Sequence, residues 1–222
     1  MTQRGVRTRT LGVLLPVVLV LTFFNPDWWW PTTTSTTTST TTAGTTTASR
    51  TTAAARATIP TACRTPARKG IWPVRAKVQH VGKRIPVLAL GRDRYGVPRE
   101  PPLTSSGKRV FGWDKKGPKP GSRRGNVRFN AHTWPDGSAL GNRLLANLWV
   151  GQLIVVKNSY GKVVCYRVTK RLRVLPRSYE ARVNYYSTTG KPKLAIVVCS
   201  PPRLGPGNWK YRTIWYARPV TS

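Results

Sequence analysis

Beyond about residue 70, apolar and polar positions alternate with period two in several short stretches, the pattern of strands with one buried face. Pro73 to His80 sets Val74, Ala76 and Val78 on one side. Arg84 to Leu90 follows as a second strand, after a turn at Val81-Gly82-Lys83. Gly91 to Gly125 is rich in Gly, Pro and Lys and reads as loop, with a short strand near Val110-Phe111. Asn126 to His132 alternates again through Val127, Phe129 and Ala131. Between Asp136 and Trp149 the period changes: Leu140, Leu144, Leu145 and Leu148 share one helical face, with Asp136 or Ser138 as the expected N-cap. Gly151 to Lys157, the turn Asn158-Ser159-Tyr160-Gly161 and Lys162 to Val174 form a hairpin pattern. Ser178 to Tyr185 has no clear period. Lys193 to Cys199 is continuously apolar and β-branched until Ser200-Pro201-Pro202, where two prolines are expected to end strand pairing. Lys210 to Ala217 is the last strand. Many short strands and one clear helix predict a mainly β fold, a closed and mostly antiparallel barrel.

The first third of the chain carries a different pattern. Arg4, Arg7 and Arg9 precede an apolar run from Leu11 to Phe24, and Trp28-Trp29-Trp30 follow. A cationic flank before an apolar run is an export signal, and tryptophan favours the membrane interface. No small-residue cleavage site directly follows the run, so residues 1–30 read as an uncleaved signal anchor with the arginines inside. Residues 31–69 are a Thr-rich linker, expected to be disordered because it has too few apolar side chains to bury a core. Residues 70–222 form the folded domain. This organisation predicts a single-pass cell-membrane protein whose domain is extracytoplasmic.

Composition narrows the chemistry. Lys and Arg number 38 against 6 carboxylates, a net charge of +32, so the chain is drawn to polyanions. The carboxylates Asp27, Asp93, Glu100, Asp114, Asp136 and Glu180 are scarce and widely spaced, which argues against paired-carboxylate catalysis. Two histidines, His80 and His132, make a His-rich zinc site improbable, and no Walker loop or dinucleotide fingerprint is present. No metal or cofactor is expected. Of three cysteines, Cys63 and Cys165 could form a disulfide that leaves Cys199 free, although spacing does not fix the connectivity. The tyrosines Tyr160, Tyr166, Tyr179, Tyr185 and Tyr186 read as core and hairpin packing, and His80 as structural.

The candidate catalytic residues are Cys199, His132 and Arg212. A thiolate attacks a carbonyl carbon, a histidine moves the proton of the departing amine, and an arginine donates to the oxyanion. Arg203, in the loop expected after Cys199, is a weaker choice than Arg212, which a strand would hold in place.

At these residues the chain resembles the sortase family. Asn130-Ala131-His132 through Gly137-Ser138-Ala139-Leu140-Gly141, then Val150-Gly151-Gln152-Leu153-Ile154, resembles its histidine region. Leu194 to Cys199 resembles the strand that carries its catalytic cysteine, and Arg212 to Ala217 its final R-x-x-x-x-A strand. Phe111-Gly112-Trp113 and Gly117-Pro118-Lys119-Pro120-Gly121 are similar to loops of the class E and F sortases of high-G·C Gram-positive bacteria. The resemblance implies an eight-stranded β-barrel cysteine transpeptidase, with Cys199 as nucleophile, His132 as general acid and base, and Arg212 as oxyanion and substrate clamp. It implies cleavage of secreted proteins at an LPxTG-like sorting signal through a thioacyl intermediate. The acceptor would be an amine of lipid II or peptidoglycan. The chain departs from the family at Val198, where threonine usually precedes the cysteine, and at Gln152, where the family usually has an acidic residue. Two other readings compete. One is a non-enzymatic basic envelope or nucleic-acid-binding protein, supported by charge alone. The other is an L,D-transpeptidase, whose Ser-x-Gly-Cys signature Leu194 to Cys199 lacks.

Overall fold

The structure, a computed structural model, describes residues 59–63 and 69–220. The signal anchor and most of the Thr-rich linker lie outside the described residues. Among the described residues no helix is long and apolar enough to cross a membrane. The described residues form eight strands: β1 Arg75–Val78, β2 Gly82–Leu90, β3 Phe111–Asp114, β4 Asn126–Ala131, β5 Leu153–Lys157, β6 Val163–Val174, β7 Lys193–Gly205 and β8 Asn208–Pro219. They close into a barrel in the order β1-β2-β3-β4-β7-β8-β6-β5. The pairs β2–β3 and β4–β7 are parallel and the others antiparallel, so the mainly antiparallel barrel read from the sequence is observed.

Alternation explains the core. In β1, Ala76 and Val78 point inward while Arg75 and Lys77 face solvent. Inward residues from all eight strands meet in one cluster that includes Trp113, Phe129, Ile154, Tyr166, Leu194 and Trp215. Each large side chain fully withdrawn from water contributes about 1.5–3 kcal/mol. Outside the barrel wall, Cys63 is disulfide-bonded to Cys165 across a sequence separation of 102, and Val220 packs beside them.

Among the described residues the one α-helix, α1, spans Leu140–Asn147 and packs Leu140 and Leu144 into the barrel core. Its C-terminal carbonyls are satisfied by tertiary donors: Arg171 Nη2 bonds Leu145 O at 2.6 Å and Trp215 Nε1 bonds Leu148 O at 2.9 Å. Arg171 also stacks over Trp149 at 4.2 Å. The helix start differs from expectation. Ala139 occupies the N-cap without a side-chain bond, while Asp136 and Ser138 close a turn of their own, Ser138 N and Oγ both donating to Asp136 Oδ1. The Asp136 carboxyl is held at about 2 by those Ser138 bonds, with Lys108 adding to them against a small desolvation effect.

Three further details correct the sequence reading. β7 does not stop at Cys199. Its pairing with β8 resumes beyond Pro201-Pro202 through Arg203↔Trp209, with register shifts on either side. The prolines are tolerated because β4 ends opposite Val198, which frees one side of β7, and because the register shift between Ser200 and Arg203 leaves both prolines without a partner on β8. His80 sits not in a strand but in the turn after β1, with φ of 60°. Of the five tyrosines, Tyr166 and Tyr185 are buried as expected, whereas Tyr160 and Tyr179 stand exposed at 87% and 69%. The aperiodic stretch from Ser178 contains one π-helical turn, Glu180–Asn184.

Candidate active site

Three strands bring the candidate residues to one end of the barrel. Cys199 on β7 is the Cα partner of Arg212 on β8. β4 runs parallel to β7 and ends at Ala131, opposite Val198, so His132 leaves the ladder beside the cysteine. A cleft of about 590 Å³ opens here, lined by Cys199, Arg212, Asn130, Tyr186 and Glu100 among others. Arg203 lies exposed beyond the proline bulge and outside the lining of this cleft.

The segment carrying His132 is fixed by α1. The amide of Gly141, in the helix's first turn, donates to His132 O at 2.7 Å. A side chain at position 141 would collide with that carbonyl and with the Thr133 hydroxyl, so a glycine is required for the close approach. Asn142 clamps the next residue, accepting from Trp134 N at 2.9 Å and donating to Trp134 O at 3.0 Å. The imidazole is buried under residues 99–101. Its Nε2 donates to Pro101 O at 2.6 Å, since a carbonyl only accepts. Its Nδ1 lies 4.0 Å from Glu100 Oε2, too long for a hydrogen bond. Asn130 Nδ2 donates to Arg99 O at 3.0 Å and so pins the covering segment to β4. Among the described residues, no hydrogen bond joins the His132 ring to the thiol.

Cys199 is a free, partly covered thiol. Burial pushes its pKa above the ordinary thiol value; Arg212 pulls it back and Glu100 adds to the rise. Arg212 lowers the thiol pKa as a neighbouring cation does, but desolvation is the larger effect. Arg212 is oriented by its own strand, Nη1 donating to Trp209 O at 3.2 Å and Tyr211 O at 3.0 Å.

Several contributors escaped the sequence reading. Thr133 Oγ1 donates to Cys199 O at 2.6 Å, a direct tie between the histidine segment and the cysteine strand. The cleft wall at Tyr185 and Tyr186 is stapled to β4: Asn126 Nδ2 bonds Asn184 O at 2.6 Å, Tyr185 Oη bonds Phe129 O at 3.0 Å, and Arg128 Nη1 bonds Tyr186 O at 2.6 Å. Arg128 is a buried cation whose counter-ion is Asp114, at 2.7 Å, with Arg92 on the same carboxylate at 2.9 Å. Burial alone would raise the Asp114 pKa, but bonding to Arg92 and the charge of Arg128 outweigh it, and the net shift is downward. The available signal was scarcity, because Asp114 is one of only 6 carboxylates and ends the otherwise apolar run Phe111-Gly112-Trp113. Among the described residues, no group of three or more His, Cys, Asp or Glu side chains gathers as a metal site.

Residues 77–220 match the family model of the Sortase domain. No curated protein matches the chain. Among solved structures, sortase C1 of Streptococcus agalactiae in its type III crystal form aligns at 15% identity with a TM-score of 0.50, covering 67% of this chain and 67% of that one. The complex of the Streptococcus agalactiae enzyme with MTSET aligns at 14% identity with a TM-score of 0.49, covering 71% of this chain and 72% of that one. Sortase C1 of Streptococcus suis aligns at 14% identity with a TM-score of 0.48, covering 68% and 73%. At such identities the first of these similarities speaks to the fold, and the family rests on the matched domain.

Proposed function

We propose, because the chain belongs to the sortase family of cysteine transpeptidases, that it cleaves secreted proteins at an LPxTG-like sorting signal and joins them to a cell-wall amine. One observation carries the reading: Cys199 and Arg212 face each other across a ladder over one cleft, with the His132 segment tied to the same cysteine through Thr133.

In this proposal the Cys199 sulfur attacks the carbonyl carbon of the scissile peptide. The S–H proton passes to His132, the C–S bond forms, the C–N bond breaks, and His132 gives that proton to the departing amine. Arg212 donates to the oxyanion of each tetrahedral intermediate. An incoming amine then attacks the thioester and loses a proton to His132, the C–S bond breaks, and the leaving Cys199 sulfur takes that proton back from His132. The His132 Nε2 proton must leave the Pro101 carbonyl to take part, so substrate entry has to loosen residues 99–101. Residues 1–30 anchor the enzyme, residues 31–69 act as a spacer, and residues 70–222 work outside the membrane. The amine acceptor is lipid II or peptidoglycan.

A peptide library of LPxTG-like sequences, incubated with the full-length protein in detergent micelles, tests this reading by intact mass. The expected product is an acyl adduct on Cys199 that is absent from Cys199→Ala and scarcely formed by His132→Ala. The same spectra report whether residues 1–30 remain on the mature chain. If iodoacetamide alkylates Cys199 but no library peptide acylates it, the sorting-signal reading is wrong.

A further inference from the structure

We propose that the outer face of β1, β2 and β5 is a docking track for a linear phosphodiester polyanion, separate from the transpeptidase cleft. A cleft of about 990 Å³ on this face is lined by Arg75, Lys77, Lys83, Arg84 and Lys157. A second, of about 680 Å³, shares Lys83, Arg84 and Pro86 with it and adds Arg109 and Arg143. The two clefts therefore adjoin at the start of β2, and no carboxylate lines either one.

The strand register places these charges where they cost stability unless an anion is present. Arg75 is the direct Cα partner of Lys157, and both side chains are exposed. Like charges directly opposed across an antiparallel pair repel each other. Lys77 follows two residues after Arg75 on the same solvent face, about 6.6 Å along the strand. No described carboxylate offsets them. Asp93 and Glu100 line the Cys199 cleft, Asp114 is buried between Arg92 and Arg128, Asp136 meets Lys108, and Glu180 accepts from Asn184. One cation is already steadied, since Arg143 Nη2 donates to Val81 O.

Topology separates this face from the chemistry. In the closed order, β1 lies four strands from β7 in either direction, diametrically opposite the thiol strand. A ligand held on β1 and β5 would leave the Cys199 cleft open. The shape favours a chain over a sheet of lipid. The cations line a trough, none of the exposed large apolar side chains belongs to either lining, and Leu88 is the one such side chain on the outer face of these three strands, so the face has little to insert into a bilayer. Point cations in a trough suit a flexible polymer carrying one negative charge per repeat, bound without regard to the identity of the repeat.

The test uses the full-length protein in detergent micelles and a fluorescent poly(glycerol phosphate) oligomer as probe, titrated over a series of salt concentrations. The triple variant Arg75→Gln, Lys77→Gln, Lys157→Gln should bind at least about tenfold more weakly at low salt, and its log affinity against log salt should be shallower by about two. A control that removes the same charge elsewhere, Arg123→Gln, Arg124→Gln, Lys191→Gln, should stay within about twofold of wild type. Lys157→Gln alone should raise the thermal midpoint without probe and reduce the midpoint gain that probe confers. Alkylation of Cys199 should be unchanged in all these variants. Equal losses in the groove variant and the control would reduce the effect to net charge and overturn the track. Groove-dependent binding to phosphatidylglycerol vesicles, with none to the soluble oligomer, would overturn it in favour of a membrane surface.

Discussion

The chain contains the tripeptide Val-Val-Cys twice, at Val163-Val164-Cys165 and at Val197-Val198-Cys199, and the two copies have different fates. Each lies in a barrel strand, with its second valine in the main core and its cysteine on the opposite face. Local sequence and strand geometry are shared, so neither explains the difference. What differs is the cover outside the wall. Over Cys165 lie Cys63, Ile59 and Val220, and the sulfur is locked in a disulfide. Over Cys199 there is a cleft with Arg212 on one side and Glu100 on another, and the thiol is free. A strand can present either a staple or a reactive group, and elements far away in sequence decide which.

The largest effects should come from exchanging the two roles. Cys199→Ala is expected to lower transpeptidation by at least about a thousandfold while changing stability by less than about 1 kcal/mol. The double variant Cys63→Ala, Cys165→Ala should do the reverse. Its loop of 102 residues corresponds to a chain-entropy loss of up to about 4.7 kcal/mol, so the thermal midpoint falls steeply while turnover per folded molecule is kept at low temperature. Calorimetry paired with a peptide-cleavage assay checks both. A Cys199→Ala protein that still turns over, or that loses as much stability as the disulfide variant, would break the contrast.

A smaller effect should follow from the charges around Cys199, the one thiol left to titrate. Burial raises its pKa, Arg212 opposes the rise and Glu100 adds to it. Arg212→Gln removes the opposing charge, so the midpoint of a pH–alkylation profile should move further up. Glu100→Gln removes an anion, so it should move down. Iodoacetamide rates measured across pH distinguish the two. Shifts of the same sign in both variants would mean that burial alone controls the thiol.

The sequence made one part of this contrast legible and hid the other. Alternation in β1, β4 and β6, and the apolar run into Cys199, identify strands because each depends on neighbours two residues away. The continuation of β7 past Pro201-Pro202 was hidden because it depends on where β4 ends, a fact of pairing rather than of proline. The N-cap expected at Asp136 or Ser138 was misplaced because those two side chains bond each other first. Cys199 and Arg212 could be chosen from residue type and order. The Pro101 carbonyl on His132, 31 residues away, and the Thr133 hydroxyl on Cys199, 66 residues away, could not, since no local pattern encodes such contacts.

Thr133 provides the finest test, because its side chain acts on Cys199 through a backbone carbonyl, where at Cys165 the same carbonyl accepts the backbone amide of Val220. Its Oγ1 donates to Cys199 O at 2.6 Å, and its own backbone follows His132 directly. That bond therefore holds the strand end bearing the thiol against the segment bearing the imidazole. Thr133→Val keeps the volume but leaves the carbonyl without this donor, a cost of about 1–3 kcal/mol if no water replaces it. Small displacements of reacting groups are costly in rate, so kcat should fall by about tenfold with KM nearly unchanged. Thr133→Ser restores the hydroxyl and should recover most of the rate. If serine and valine are equally impaired, packing of the threonine methyl accounts for the effect. If KM rises instead of kcat falling, Thr133 shapes the substrate cleft and does not hold the thiol and the imidazole in register.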